Sequence, residues 1–134
     1  MTKQSEAGRR SRVLVVDDDA DVRYVVRWAL EDRGFAVDTA ANGRDAMTWL
    51  EDKRPDLLLL DLTMPIMGGS HVADLLHRRY QNVPILLITA DGHAPSKAAA
   101  VGAYDYLQKP FELEDLVRAV EQGFSSASEQ IGAP

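Results

Sequence analysis

Short runs of branched apolar residues alternating with segments of helical spacing constrain this chain's fold more tightly than any other feature. Val13-Leu-Val-Val16 and Leu57-Leu-Leu-Leu60 carry no polar residue at either phase of the pleat. As strands they must be buried on both faces, a condition met in a parallel sheet covered by helices on each side. Three further runs have β character, giving predicted strands over 12–17, 35–40, 56–60, 85–89 and 104–107. Val22, Val25, Val26, Ala29 and Leu30 stripe the first intervening helix, which stops at Arg33-Gly34. Ala46, Trp49 and Leu50 do the same for the second, Val72, Leu75 and Leu76 for the third, and Leu113, Leu116, Val117 and Val120 for the last. Only the segment 95–101 is short, with barely two turns available before Gly102. Strict alternation of strand and helix predicts an α/β fold, a doubly wound, five-stranded parallel sheet in a single domain over 11–124. Residues 1–10 read as a disordered N-terminal tail, and 125–134, rich in Ser and Ala, as a linker-like C-terminal tail.

Composition removes several function classes. A net charge of −6 and the absence of any Lys/Arg run longer than two residues leave no basic stripe for a phosphate backbone, so direct nucleic-acid binding is not expected. With no cysteine there is no disulfide, thiolate metal site or Cys nucleophile. No apolar stretch approaches the roughly 18 residues of a membrane span, and residues 1–11 lack a signal peptide's apolar core, so a cytoplasmic location is expected.

The chemistry is carried by acids. Asp17 and Asp18 end the first apolar run and Asp61 ends the third. Parallel strands bring their carboxyl ends to one sheet edge, where doubly wound folds bind ligands. Each acid alone is explained by helix capping or loop solvation. Three converging ones repel unless a counter-ion joins them, and an all-oxygen donor set suits a hard cation, Mg²⁺ first of all. Thr89 at the end of the fourth strand adds a hydroxyl to the same rim, and Lys109-Pro110 after the fifth adds a cation. A carboxylate nucleophile, a divalent ion, a hydroxyl and an ammonium group make a cradle for a phosphoryl group, with Asp61 as the attacking group.

These residues resemble the receiver domains of two-component response regulators. Val-Val-Asp17-Asp18-Asp, Asp61-Leu-Thr-Met-Pro65, Thr89-Ala90 and Gly102-Ala-Tyr-Asp-Tyr-Leu-Gln-Lys109-Pro110-Phe follow the family's motifs in order, across 11–124. The resemblance implies a flavodoxin-like strand order 2-1-3-4-5. It implies Asp61 as phosphoacceptor, Asp18 as a direct Mg²⁺ ligand, Asp17 as a ligand through water, and Thr63 as a ligand through its backbone carbonyl. It further implies that Thr89 bonds the phosphoryl oxygen, that Lys109 pairs with it across a cis Lys109-Pro110 bond, and that Tyr106 is a rotameric aromatic switch. The implied partners are a sensor histidine kinase or phosphotransfer protein as donor, a downstream effector or a C-terminal output domain, and a phosphorylation-dependent dimer. The implied activity is self-phosphorylation and autodephosphorylation, not turnover of a diffusible substrate. No DNA-binding or enzymatic segment is recognisable after Val120, so the reading leaves open a complete single-domain regulator or an excised receiver.

Two places depart from the family pattern. Thr89 and Gly102 are closer together than usual, which predicts a truncated fourth helix, and Thr63 and Asp91 occupy the variable positions that flank the path of a hydrolytic water. Met64, Met67, Gly68 and Gly69 are read as shaping the loop after Asp61. Trp28 and Trp49 are read as helix packing residues, and His71, His77 and His93, which lack ligand spacing, as surface residues. Rival motifs fail locally. Asp17-Asp-Asp19-Ala-Asp21 has Asp where a haloacid-dehalogenase-type phosphatase needs Thr or Val. As a calcium loop it has Val22 and Trp28 where Gly and Glu are required. No glycine-rich nucleotide loop is present. The surviving alternative is a receiver-fold interaction module that does not use phosphorylation.

Overall fold

The computed structural model describes residues 11–62, 69–90 and 92–132. Five strands, β1 (Arg12–Val16), β2 (Ala36–Ala40), β3 (Leu57–Asp61), β4 (Ile85–Thr89) and β5 (Asp105–Gln108), form one sheet in the order β2-β1-β3-β4-β5. Every pairing is parallel. The central strands β3 and β4 are buried along their whole length, as their apolar runs Leu57–Leu60 and Ile85–Ile88 require, and each carries one buried polar residue, Asp61 or Thr89, at its carboxyl end. Helices α1 (Ala20–Asp32), α2 (Gly43–Leu50), α3 (Gly69–Arg79) and α4 (Ala94–Val101) make the crossovers, and with the terminal α5 (Leu113–Gly132) they cover both faces.

Two cores result. On one face Val13, Val15, Leu57, Leu59, Leu86 and Ile88 pack with Val26, Ala29 and Leu30 of α1 and Leu116, Val117 and Val120 of α5. On the other, Leu14, Val16, Leu58 and Leu60 pack with Ala46 and Leu50 of α2 and Val72 and Leu76 of α3. Alternate residues of the same strand therefore serve opposite cores, as the two-residue side-chain period demands.

Local signals place the helix ends. The Asp19 carboxylate accepts from the N–H groups of Asp21 and Val22 and caps α1, and the Asn42 side chain accepts from Asp45 N–H to cap α2. At the end of α4, Gly102 takes a left-handed conformation (φ 71°) that a residue with a Cβ rarely adopts.

Three expectations need correction. Trp28 does not pack; it is 61% exposed. The inward stripe of α1 is Val26, Ala29 and Leu30, and Trp28, two residues from Val26, lies roughly 200° around the helix from it. Val25 and Tyr24 are exposed with it, at 41% and 73%. Trp49 does pack, and its indole N–H donates to Asp38 (3.2 Å). The second correction is the tail: where composition suggested a linker from 125, the backbone stays helical to Gly132. Ser and Ala are adequate helix residues, and nothing between Gly123 and Gly132 removes a backbone donor. The third is small: Asp17, Phe35, Asp56 and Tyr104 fall just outside the strands predicted to hold them. The short α4 is as expected, with eight residues.

An aromatic anchor joins β5 to α5. The Tyr104 hydroxyl donates to the Ala119 carbonyl (2.6 Å) beside Gly123, whose missing Cβ makes room for the ring. Phe124 stacks on Phe35 with centroids 5.3 Å apart, fastening the same stretch of α5 to the connection after α1.

Candidate functional site

The site is built from strand ends. Asp17 directly follows β1, and its N–H donates to Ala40 O (3.2 Å), so β2 holds it in extension of the sheet. Asp61 is the last residue of β3, opposite Ile88 in register. Both are fully buried. Asp18 is exposed, yet one carboxylate oxygen from each of Asp17, Asp18 and Asp61 lies within 4.8 Å of the others. Thr89, also fully buried, ends β4, and its carbonyl accepts from Lys109 N–H (2.8 Å). That bond continues the β4–β5 ladder one step past β5 and brings Lys109 to the acids. Its Nζ lies 3.0 Å from Asp17 Oδ2 and 3.2 Å from Asp61 Oδ2, and the peptide to Pro110 is cis.

Charge and hydrogen bonding are unequally shared. Asp17 Oδ1 accepts from Asp19 N–H (2.9 Å). Asp17 Oδ2 has the ammonium as an ionic neighbour but no hydrogen-bond donor aligned on it, although it is buried. Burial pushes the Asp17 carboxyl above the usual carboxylate range, and the Asp61 charge adds to this; the Asp19 N–H and Lys109 pull the other way without cancelling it. Burial alone would lower Lys109, but its contacts with Asp17 and Asp61 outweigh that and hold its ammonium above the ordinary lysine value. One cation beside three carboxylates leaves the cluster net negative. The buried oxygen without a donor, in an all-carboxylate donor set, fits a hard divalent cation.

Sequence reasoning grouped Asp17, Asp18, Asp61, Thr89 and Lys109, and the fold brings all five to the same sheet edge. Tyr106 lies on β5 opposite Leu87, two positions further from that edge than Thr89, and is 37% exposed. Thr63, Asp91 and the Met64–Gly68 loop lie outside the described residues. The sequence reading missed Arg23, whose guanidinium donates to the Asp17 carbonyl (2.8 Å) and steadies the turn from β1 into α1. Nothing in the sequence marks it, because a lysine or arginine in the first turns of a helix is ordinary surface chemistry. Among the described residues no helix is long and apolar enough to cross a membrane.

The profile of the response regulator receiver domain family matches residues 13–121, which span all five strands and this site. The chain belongs to the response regulator receiver domain family. As a receiver domain of the two-component type it is 38% identical over 124 residues to the DNA-binding transcriptional regulator NtrC of Salmonella typhimurium, a match that covers 91% of this chain and 26% of that protein. The chain therefore spans about a quarter of the length of that relative. Among solved structures it superposes on the chemotaxis protein CheY4 of Vibrio cholerae with a TM-score of 0.78 at 33% identity, covering 84% of this chain and 98% of that one. It superposes likewise on the response regulator TrrA of Thermotoga maritima in complex with Mg²⁺-BeF, with a TM-score of 0.76 at 32% identity and coverages of 84% and 98%.

The buried Asp17 carboxylate makes a stability prediction for this receiver. A carboxyl whose folded pKa lies above its unfolded value contributes its full stability below the unfolded value and loses it as pH rises through the folded one. In EDTA, Asp17→Asn is therefore expected to melt above the unsubstituted chain at pH 7–8, and the gap is expected to close as pH falls toward the ordinary carboxylate range. A gain of about 1 kcal/mol would appear as roughly 4 °C in a domain of this size. Thermal melts across pH check it; a variant that melts lower at every pH would mean that pairing with Lys109 outweighs the burial of the charge.

Proposed function

We propose that this receiver domain is a phosphoacceptor switch in which Asp61 takes a phosphoryl group from a phosphohistidine of a sensor histidine kinase or phosphotransfer protein. The observation that carries the reading is the buried Asp61 carboxylate with Lys109 Nζ 3.2 Å away, inside a cluster of carboxylates that lacks a donor for one buried oxygen. Mg²⁺ is the cation proposed for that cluster, held by Asp17, Asp18, Asp61 and the Thr63 backbone carbonyl. When bound it neutralises phosphoryl oxygens and offsets the repulsion of the acids. The Mg²⁺-BeF complex of TrrA supports this assignment by likeness.

In the transfer, an Asp61 oxygen forms the bond to phosphorus while the phosphorus–nitrogen bond to the donor imidazole breaks, and the electron pair leaves with the imidazole. Lys109 pairs with the incoming phosphoryl oxygens, exchanging part of its contact with Asp17 and Asp61 for them. Arg23 and Asp19 keep Asp17 in place through its carbonyl and Oδ1. The Thr89 hydroxyl, on the adjacent strand end, bonds a phosphoryl oxygen. The response is a shift of Tyr106 from its half-open position, with a changed surface over α4, β5 and α5 for an effector, an output domain or a second receiver in a phosphorylation-dependent dimer. Reversal by autodephosphorylation and a cytoplasmic setting belong to the same proposal.

Exposure to acetyl phosphate with Mg²⁺, followed by peptide mapping of the hydroxylamine-labile acyl phosphate, tests the reading. The expected result is one modified residue, Asp61. A chain that stays unlabelled supports the rival reading of an interaction module that does not use phosphorylation.

A second expectation concerns α4, which buries only Ala94, Ala98 and Val101 against the sheet. So few small contacts give it low local stability. Beryllofluoride with Mg²⁺ is expected to raise amide protection across 94–106, and Thr89→Ala is expected to accept phosphate while passing on less of that protection. Equal exchange with and without the mimic would eliminate this route of transmission and leave Asp61 phosphorylation standing.

A further inference from the structure

A groove opens beside the acid cluster, between α1 and the connection from β5 to α5. It encloses about 540 Å³ and is lined by Val22 and Val25 of α1, Ala90, Lys109, Pro110, Phe111 and Leu113. Six of these seven are apolar. The exception, Lys109, is the residue whose ammonium touches Asp17 and Asp61, so the groove and the acid cluster meet at this one side chain. The volume falls in the range of small-molecule sites, about 300–1,000 Å³, and a mainly apolar wall with one convergent charged group is their usual composition.

The charge pattern selects the ligand. An occupant must be anionic where it meets Lys109 and uncharged and apolar along Val22, Val25, Pro110, Phe111 and Leu113. We infer that the groove receives the apolar leaving group of a small-molecule phosphodonor, an aromatic acyl phosphate such as benzoyl phosphate, while its phosphoryl group lies against Asp61 and Lys109. This rests on the reading of Asp61 as phosphoacceptor. In the reaction an Asp61 oxygen forms a bond to phosphorus, the phosphorus–oxygen bond to the acyl group breaks, and benzoate departs with that electron pair. No proton, oxidant or reductant is needed. The phenyl ring then covers apolar surface that acetyl phosphate, with one methyl group, leaves wet. A hydrophobic group added in such a pocket changes the specificity constant by about tenfold or more, and the lower figure suits a groove open to solvent.

The test compares initial rates of Asp61 labelling by acetyl and benzoyl phosphate, each with Mg²⁺ and each below saturation, in the full chain and in Val25→Gln. Val25 is at the surface and touches none of the acids, so the variant is expected to fold and to keep its acetyl phosphate rate. Benzoyl phosphate is expected to label the unsubstituted chain about ten times faster than acetyl phosphate after correction for intrinsic reactivity, and Val25→Gln to lose most of that advantage. As a readout independent of transfer, benzylphosphonate is expected to shift the methyl resonances of Val22, Val25 and Leu113, while methylphosphonate leaves them in place. Equal corrected rates for the two donors, or unmoved methyl resonances, overturn the inference while labelling by acetyl phosphate upholds Asp61. Silence with both donors overturns the phosphoacceptor reading and the inference with it.

Discussion

Asp61→Asn is expected to take up no hydroxylamine-labile phosphate from any donor. The amide keeps the shape of the carboxylate, so the end of β3 and its pairing with β4 persist, but its neutral oxygen is too weak a nucleophile to attack phosphorus. Lys109 retains Asp17 at 3.0 Å and stays at the sheet edge. The variant is thus a folded protein without the acceptor, and in EDTA it is expected to be at least as stable as the parent, because one of three mutually repelling charges is gone. Phosphoprotein gels and mass spectrometry read the result. Stoichiometric labelling of Asp61→Asn would move the acceptor to another carboxylate, Asp18 being the one exposed to solvent.

The largest effect on stability is expected at Gly123→Ala. An added Cβ would stand 2.4 Å from the Tyr104 hydroxyl, 2.6 Å from its ring carbon Cζ and 2.8 Å from Leu57 Cδ1, each inside contact distance. Because Tyr104 is the more movable neighbour, the ring must swing out. It then gives up its bond to the Ala119 carbonyl and part of its burial against the core. Overpacking costs about 1–3 kcal/mol and the hydrogen bond about 1 kcal/mol, so a loss of roughly 2–4 kcal/mol is expected in urea unfolding. Burial, and then the charge of Asp105, hold the Tyr104 phenol well above its ordinary pKa, so the donor stays protonated across the whole accessible range and the effect should not vary with pH. The double variant Tyr104→Ala, Gly123→Ala is expected to be more stable than the sum of the two single losses, since the second substitution removes what the first collides with. Additive losses would show that Gly123 matters for some reason other than room for Tyr104.

The parts of this molecule that were legible in its sequence are those that depend on local pattern. Leu57-Leu-Leu-Leu60 could only be a strand with both faces covered, and its place at the sheet centre follows from that. Asp17, Asp61, Thr89 and Lys109 were found because parallel strands all deliver their last residues to one edge, which turns a position in sequence into a position in space. What stayed hidden depends on which side chains meet across the fold. The approach of Tyr104 to Gly123 leaves no trace in either segment alone, because a helical glycine reads as a weak helix position and not as a socket. Trp28 was misjudged because a large apolar residue suggests burial, whereas the angular position of Val26, Ala29 and Leu30 had already turned that side of α1 to water. The helical continuation of α5 was masked by polar composition, which describes solvent exposure and not backbone conformation.

The wiring of the sheet also bears on how the site comes into being during folding. Asp61 and Lys109 meet across 48 residues of chain, Asp17 lies further upstream still, and the three come from different strands that crossover helices connect. Closing such long loops is entropically slow, and parallel pairings reward it only once several strands are aligned. A refolding chain would then regain helical circular dichroism before the four strand ends converge. Competence to react with a phosphodonor, sampled in brief pulses during refolding, would be a chemical clock for the docking of β5 onto β4, timing the step that completes the sheet and not the earlier formation of its parts.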